Sequence, residues 1–157
     1  MRKQKGFSLI ELLIVVAIIL IIAAIAIPNL LKSRMAANEA SAVGSMRTLN
    51  TAEVTYAATY PAVGFSNAMT DLAANGQANA DSTHAGLIDD VLGTGTKSGF
   101  SFTYAKTASG GLNTQYTLTG DPVTRGTTGQ RSFFTDQSGV IRYNTTTNAT
   151  VNDSPLQ

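Results

Sequence analysis

The sequence contains no cysteine, which excludes disulfide bonds, thiolate metal sites and cysteine nucleophiles. Its single histidine, His84, cannot form a multi-histidine metal site, and a hydrolase triad would have to use that one residue. Charged residues make up 13% of the chain and aromatic residues 7%, so it does not have the composition of a highly charged disordered chain. We therefore expect a packed domain with no catalytic residues, no cofactor and no metal site.

The length and the charge distribution limit the class of protein further. The 157 residues suit one modest domain, or one domain plus a membrane anchor. The formal net charge is +1, but Arg2, Lys3 and Lys5 all lie within the first six residues. The rest of the chain has eight basic and ten acidic side chains, so it gives no direct evidence for nucleic-acid binding.

A long apolar run follows this basic cluster. Residues 7–27 include one charged residue, Glu11, and a 21-residue helix rises about 30 Å, enough to cross the hydrocarbon core of a bilayer. The positive-inside tendency places the basic end in the cytoplasm. We expect a single membrane-spanning helix over 7–27, with everything after Pro28 exported.

A cleaved secretory signal is an alternative interpretation of the same segment. Ala24-Ile25-Ala26 matches a small-x-small cleavage site, and cleavage there would release a soluble protein that begins at Ile27. However, the run is longer than the ~7–15 apolar residues of an ordinary signal, and Glu11 costs ~2.5–3.5 kcal/mol on insertion scales. An acid inside a membrane span is by default a candidate functional residue.

The residues around Glu11 resemble a known processing signal. The stretch Lys5-Gly6-Phe7-Ser8-Leu9-Ile10-Glu11-Leu12-Leu13, followed by an apolar helix and Pro28, is similar to the type IV prepilin signature. Type IV pilins and type II secretion pseudopilins share this signature. The short leader peptide before Phe7 resembles the class A, type III-like leader peptides of prepilins. The resemblance covers about the first 30 residues closely and the rest only in general layout.

The resemblance implies a processing pathway and a set of partners. A prepilin peptidase would cut between Gly6 and Phe7 and N-methylate Phe7, which leaves Glu11 as the fifth residue of the mature chain. The subunit would stay in the bacterial inner membrane until an inner-membrane assembly platform adds it to a homopolymer. Glu11 would then act in assembly, and the product would be an extracellular pilus for adhesion, motility or DNA uptake, or a periplasmic pseudopilus.

Two other functions stay open. The first is a major pseudopilin of a type II secretion system, although the sequence has no spaced Asp-x-Asp-x-Asp calcium loop. The second, from a different class, is a secreted or membrane-anchored periplasmic enzyme or binding protein. The residues favour a pilus subunit over both.

The resemblance and the periodicity together predict three segments: a leader at 1–6, an N-terminal helix at 7–60 and a globular head with an αβ-loop and a β-meander at 61–157. Pro28 predicts a kink or local melting near residues 24–28. Met35, Ala42, Leu49 and Tyr56 recur every seven residues, so one helix face is expected to pack on the head.

Acidic residues interrupt this apolar face. We interpret Glu39 and Glu53 as solvated charges. The alternative is pairing between subunits in a filament, with basic partners among Lys32, Arg34 and Arg47.

The head is predicted to be an antiparallel sheet with short connecting helices. Asn67 or Ser66 is expected to cap a helix at 68–74, and Ser82 or Thr83 another at 85–92. Period-two patterns predict one hairpin around 109–111 and a second, 131–135 with 140–144, around the turn 136–139. The expected fold class is α+β, with a long helix packed on a four-stranded antiparallel sheet.

The remaining polar and aromatic patterns are interpreted structurally. His84 is expected in a loop, Asp136 in its own turn, and the Asp89-Asp90 pair facing water rather than binding calcium. Three Asn-x-Ser/Thr triplets, at Asn144, Asn148 and Asn152, are attributed to chance in a Thr- and Asn-rich tail. That tail, 145–157, is expected to be a loosely ordered surface. The aromatic residues are expected to form a core rather than an electron-conducting stripe; they are Tyr56, Tyr60, Phe100, Phe102 and Tyr104.

Overall fold

The computed structural model describes residues 6–156. The chain divides between Arg34 and Met35 into an N-terminal unit and a larger unit that contains the head. A single helix, α1 (Leu9–Thr59), contributes to both units. The remaining elements are α2 (Met69–Leu72), α3 (Asp90–Gly93), β1 (Thr96–Lys97), β2 (Phe100–Ser109), β3 (Leu112–Pro122), β4 (Ser132–Asp136) and β5 (Arg142–Asn144).

The sheet has five strands in the order β1-β2-β3-β4-β5, and every neighbouring pair is antiparallel. This confirms the predicted α+β class and the meander, while the strand count of four was one too low. The additional strand is β1, which pairs with the start of β2 through a tight turn at Ser98 and Gly99. Both turn residues have positive φ, at 51° and 74°, the conformation of a type I′ hairpin.

The two predicted hairpins are present. Gly110 and Gly111 connect β2 to β3, both with positive φ, as a two-residue hairpin with the right twist requires. In the second hairpin, the backbone N–H of Ser138 donates to the side chain of Asp136 at 2.9 Å, so Asp136 stabilises its own turn as expected.

The core lies between the sheet and the part of α1 that follows Met35. Phe100 and Phe102 alternate with exposed residues at the start of β2. Both are buried together with Met46, Leu49 and Tyr56 of α1. Gly120 pairs with Phe102 across the strands, and a Cβ on Gly120 would lie 3.1 Å from that ring. The predicted packing of helix stripe against aromatic strand is therefore confirmed.

The segment between α1 and β1 differs from its prediction. Helix α2 is shorter than expected and lacks a side-chain N-cap, while Ala85–Ile88 is not helical. Helix α3 begins instead after Asp89, whose carboxylate accepts a hydrogen bond from the Leu92 N–H at 2.9 Å. Asp89 also binds Lys97 at 2.8 Å, so it does not simply face water.

The C-terminal tail is ordered against the sheet, contrary to the expectation of a loose surface. Asp153 holds it from two sides, since its carboxylate accepts from Asn144 at 2.8 Å and from the Thr150 N–H at 2.7 Å. The Leu156 N–H donates to the Ile141 carbonyl at 2.7 Å, next to the start of β5 at Arg142. Backbone and side-chain hydrogen bonds thus hold the tail in a chain that cannot form disulfides.

Candidate assembly site

The residues around the predicted processing point are accessible. No atom of the described residues 6–156 would lie within 4 Å of a Cβ placed on Gly6, and the Phe7 side chain is 85% exposed. The helix begins two residues later, at Leu9. The predicted scissile bond thus lies outside the helix in a segment without regular secondary structure, which suits a protease because a bound peptide must offer its backbone.

Glu11 sits in the first turn of α1 and accepts a hydrogen bond there. Its Oε2 atom receives the backbone N–H of Ser8 at 2.9 Å, while the Leu12 N–H donates to the Ser8 carbonyl at 3.2 Å. This is half of a capping box, in which a Glu three residues after the N-cap satisfies the N-cap N–H. The Ser8-x-x-Glu11 spacing is visible in the sequence, but the capping role of Glu11 was not predicted from it.

The part of α1 up to Ile27 has an exposed apolar surface. The large apolar side chains between Phe7 and Ile27 are about half exposed or more, and this helix is long and apolar enough to cross a membrane. Residues 24–28 are helical, so the local melting expected near Pro28 is not observed. A kink at Pro28 stays a prediction.

The prediction that Glu39 is solvated was wrong. The Glu39 carboxylate is buried and accepts the backbone N–H groups of Gln130 and Arg131, at 2.7 and 2.9 Å. The Arg131 Nε donates to it at 2.8 Å. Burial raises the pKa of Glu39, but these hydrogen bonds and the guanidinium outweigh it, so the net pKa lies below its usual value.

The prediction for Glu53 was also wrong. Its side chain is fully buried, and its carboxylate accepts the Ser66 hydroxyl at 2.6 Å and the Ser66 N–H at 3.0 Å. Burial raises the pKa of Glu53 more than the bonds from Ser66 lower it. Both glutamates thus bind loops of their own head rather than water, and Ser66 serves Glu53 instead of capping α2.

The other candidate residues have local structural roles. His84 lies in a loop beside Thr83, with 2.9 Å between its Nδ1 and the Thr83 hydroxyl. Among residues 6–156, no group of three or more His, Cys, Asp or Glu residues could hold a metal ion. Tyr56 is buried and donates its hydroxyl to the Ser82 carbonyl at 2.5 Å, and burial raises the pKa of Tyr56 to about 12.

Comparisons with known proteins agree with the resemblance seen in the sequence. Residues 1–27 match the family described as the prokaryotic N-terminal methylation motif. The chain is 67% identical over 39 residues, 25% of its length, to the type IV wide pilus major component PilA4 of Thermus thermophilus. It is 46% identical over 54 residues, 34% of its length, to the type IV major pilin protein PilA of Myxococcus xanthus.

These similarities are local. The matches span 30% and 24% of the lengths of the two relatives. No solved structure matches the chain.

Proposed function

We propose that this chain, whose methylation motif and relatives support the type IV pilin family, is a structural subunit of a type IV pilus-like filament. The observation that carries the proposal is the combination of the motif over residues 1–27 with an exposed apolar helix that contains Glu11. An apolar surface of this length must be covered by lipid or by other helices. Lipid would cover this surface while the helix anchors the subunit in the membrane, and neighbouring helices would cover it once the subunit joins the filament core.

Processing would begin on the cytoplasmic side of the inner membrane. A prepilin peptidase would cut between Gly6 and Phe7, and Phe7 would then be N-methylated. Cleavage creates a cationic amine on Phe7, and methylation leaves its charge in place. The apolar segment would then contain one cation and one anion four residues apart.

Glu11 would set the register of assembly. In the subunit its Oε2 atom accepts the Ser8 N–H, and Oε1 accepts no hydrogen bond from residues 6–156. That oxygen can accept from the Phe7 amine of a neighbouring subunit as the helices bundle. An unpaired carboxylate in an apolar core costs several kcal/mol, so a docking position that pairs the two charges is favoured over other positions.

The ordered head would form the outside of the filament. Glu39 and Glu53 lie in the part of α1 that follows Met35, and they bind Arg131 and Ser66 of the head. The head is therefore attached to the same helix that would polymerise. The names of both relatives favour an extracellular pilus over a pseudopilus of type II secretion.

Mass spectrometry of filaments sheared from cells tests this function. The expected result is a subunit that begins with N-methylated Phe7, in fibres seen by electron microscopy at the cell surface. A soluble periplasmic protein that begins at Ile27 would contradict the proposal and support the secreted alternative. Fibres confined to the periplasm would favour the pseudopilus.

A further inference from the structure

Two basic residues follow the apolar segment of α1 closely. Glu11 is the one charged residue in 7–27, and Lys32 and Arg34 are the first charged residues after that segment. Both basic side chains are exposed, and both belong to the helix that runs from Leu9 to Thr59. The proposed filament function gives these two cations no role.

Their position along the helix places them at the edge of the bilayer that the apolar segment would cross. A helix rises about 1.5 Å per residue, so the backbones of Lys32 and Arg34 lie about 7 and 10 Å beyond Ile27. The headgroup region on each side of the hydrocarbon core is about 5–8 Å thick. Helical side chains lean towards the N-terminus of their helix, which here is the direction of the membrane, and long basic side chains extend their charge to the headgroups. The ammonium and the guanidinium would therefore lie among the lipid headgroups.

The helix itself offers neither cation an acidic partner. Side chains three or four residues apart can pair on a helix surface, and the residues at those distances from Lys32 and Arg34 are all uncharged. The next acid along the chain is Glu39, whose carboxylate already accepts hydrogen bonds from Gln130 and Arg131. The two charges are thus available to a partner outside the helix.

The two cations point in nearly opposite directions around the helix axis. Each residue turns an α-helix by about 100°, so Arg34 lies about 200° around the axis from Lys32. A neighbouring helix, or one small anion, contacts a single side of a helix and would meet one of the two. A layer of headgroups surrounds the helix and meets both. Leu30 and Leu31, 60% and 41% exposed, extend the apolar surface up to the cations, as a segment that leaves the hydrocarbon core requires.

The chemistry of the two side chains selects the kind of lipid. A guanidinium donates paired N–H groups to phosphate oxygens, and an ammonium binds phosphate as a compact charge. A zwitterionic headgroup brings a cation of its own beside its phosphate, whereas an anionic headgroup has a net negative charge. The attraction of an anionic membrane surface for one Lys or Arg corresponds to about a fivefold change in binding.

We propose that Lys32 and Arg34 bind anionic phospholipid headgroups in the leaflet that faces the head, with one lipid on each side of the helix. This inference rests on the membrane anchor of the proposed function, but it does not require polymerisation. The contacts fix the depth of the apolar segment. Glu11 precedes Ile27 by sixteen residues, about 24 Å of helix, so at this depth it stays near the opposite surface, where water can reach its carboxylate before assembly.

Native mass spectrometry of the full chain in detergent, titrated with phosphatidylglycerol or phosphatidylcholine, measures this binding. Arg2, Lys3 and Lys5 are replaced by Gln in every chain compared, so that these cations do not contribute. Phosphatidylglycerol should bind at least about fivefold more tightly than phosphatidylcholine. Lys32→Gln and Arg34→Gln should each weaken phosphatidylglycerol binding about fivefold, and together about 25-fold, because the two sites lie on different sides of the helix.

Arg47→Gln is the matched control. Arg47 is also an exposed cation of α1, but it follows Ile27 by twenty residues, beyond the headgroup layer, so its loss should leave lipid binding unchanged. An excess of inorganic phosphate should not displace the lipid. Displacement would identify a site for free anions and contradict the proposal.

A second measurement tests the depth of the helix directly. Since the chain has no cysteine, Ser33→Cys provides a single site for a fluorophore between the two cations. In vesicles that contain phosphatidylglycerol, lipids with a spin-labelled headgroup should quench this fluorophore more strongly than one attached through Thr48→Cys. Equal quenching at the two positions would contradict the proposed placement.

The possible failures of the inference and of the proposed function are distinct. Unchanged phosphatidylglycerol binding in the double variant, or an equal loss in Arg47→Gln, would overturn the lipid contact and leave the membrane anchor and the filament intact. If the double variant binds lipid normally but yields few filaments, the two cations belong to a contact between subunits. Failure of the wild-type chain to float with vesicles of either lipid would overturn the anchor, and the proposed function with it.

Discussion

The Arg131 guanidinium reaches the Glu39 carboxylate on α1 at 2.8 Å across 92 residues of sequence. The same guanidinium lies 5.6 and 5.7 Å from the ring centres of Phe133 and Tyr143. Because the Glu39 carboxylate also receives two backbone N–H groups, one side chain organises the start of β4 against the helix.

Glu39→Ala should destabilise the head by about 1–3 kcal/mol, since it leaves two backbone donors of the loop without their acceptor. Thermal unfolding of the full chain in detergent, followed by near-UV circular dichroism, measures the change. The pKa of Glu39 is lowered in the folded state, so its contribution is present above the unfolded pKa near 4.5 and is lost as the pH falls through the folded value. The destabilisation by Glu39→Ala should therefore shrink in acid, and a constant difference down to pH 3 would contradict this account.

Glu53→Gln should raise the stability of the head at neutral pH. The pKa of Glu53 is raised in the folded state, so the wild-type acid stabilises the fold below its unfolded pKa and loses that contribution as the pH rises through the folded value. Glutamine keeps an acceptor for Ser66 without a buried charge. Glu53→Ala is the contrasting variant and should be less stable by about 1–3 kcal/mol, because it leaves the buried Ser66 donors unpaired. Equal melting temperatures for Glu53→Gln and wild type at every pH would refute the argument.

Phe102→Ala should cost about 3–5 kcal/mol of stability, as large-to-small changes at buried aromatic residues do. The ring covers Gly120 next to Met46, so its removal opens a cavity that the glycine cannot fill. Val123→Ala is the control, since Val123 is 60% exposed and its truncation should change stability little. A melting temperature for Phe102→Ala like that of the control would rule out this packing.

Gly6→Leu should leave membrane insertion intact but block maturation. The residue before the proposed scissile bond is small, and a larger side chain there should obstruct the peptidase. Immunoblots of membranes should show the unprocessed precursor accumulating, with no surface filaments. Normal maturation of this variant would count heavily against the processing site.

Glu11→Ala should still be inserted and cleaved, because the apolar helix and Gly6 remain, but it should assemble poorly. The measurement is the yield of surface filaments beside the ratio of mature to precursor subunit, in cells that make no other pilin. Glu11→Gln separates charge from size, since it can still accept the Ser8 N–H but cannot pair with a cationic amine. Wild-type filament yield from Glu11→Ala would exclude the pairing mechanism.

Much of the fold was predictable because it follows from local periodicity. The seven-residue recurrence of Ala42, Leu49 and Tyr56 predicted the buried helix face, and the alternation of Phe100 and Phe102 predicted a strand with one buried side. Strand β1 escaped prediction because two residues are too few to show a period. The Ser98-Gly99 turn was its only local sign.

The short helices and the tail were predicted less well because tertiary contacts decide them. Ser66 has the chemistry of an N-cap, but in the fold it binds Glu53. The tail has the composition of a disordered surface, but hydrogen bonds from Arg125 and Asn144 to the tail, and the burial of Ala149, hold it in the fold.

By itself, the sequence determined the processing motif, the apolar helix with Glu11, and the succession of helix and strands. These depend on neighbouring residues, whose spacing the sequence displays directly. The tertiary structure alone decided that Glu39 meets Arg131, that Glu53 meets Ser66 and that the tail is ordered against the sheet. Each of these joins side chains that are far apart along the chain or buried by other segments, and whether a carboxylate is solvated or bound depends on what packs over it.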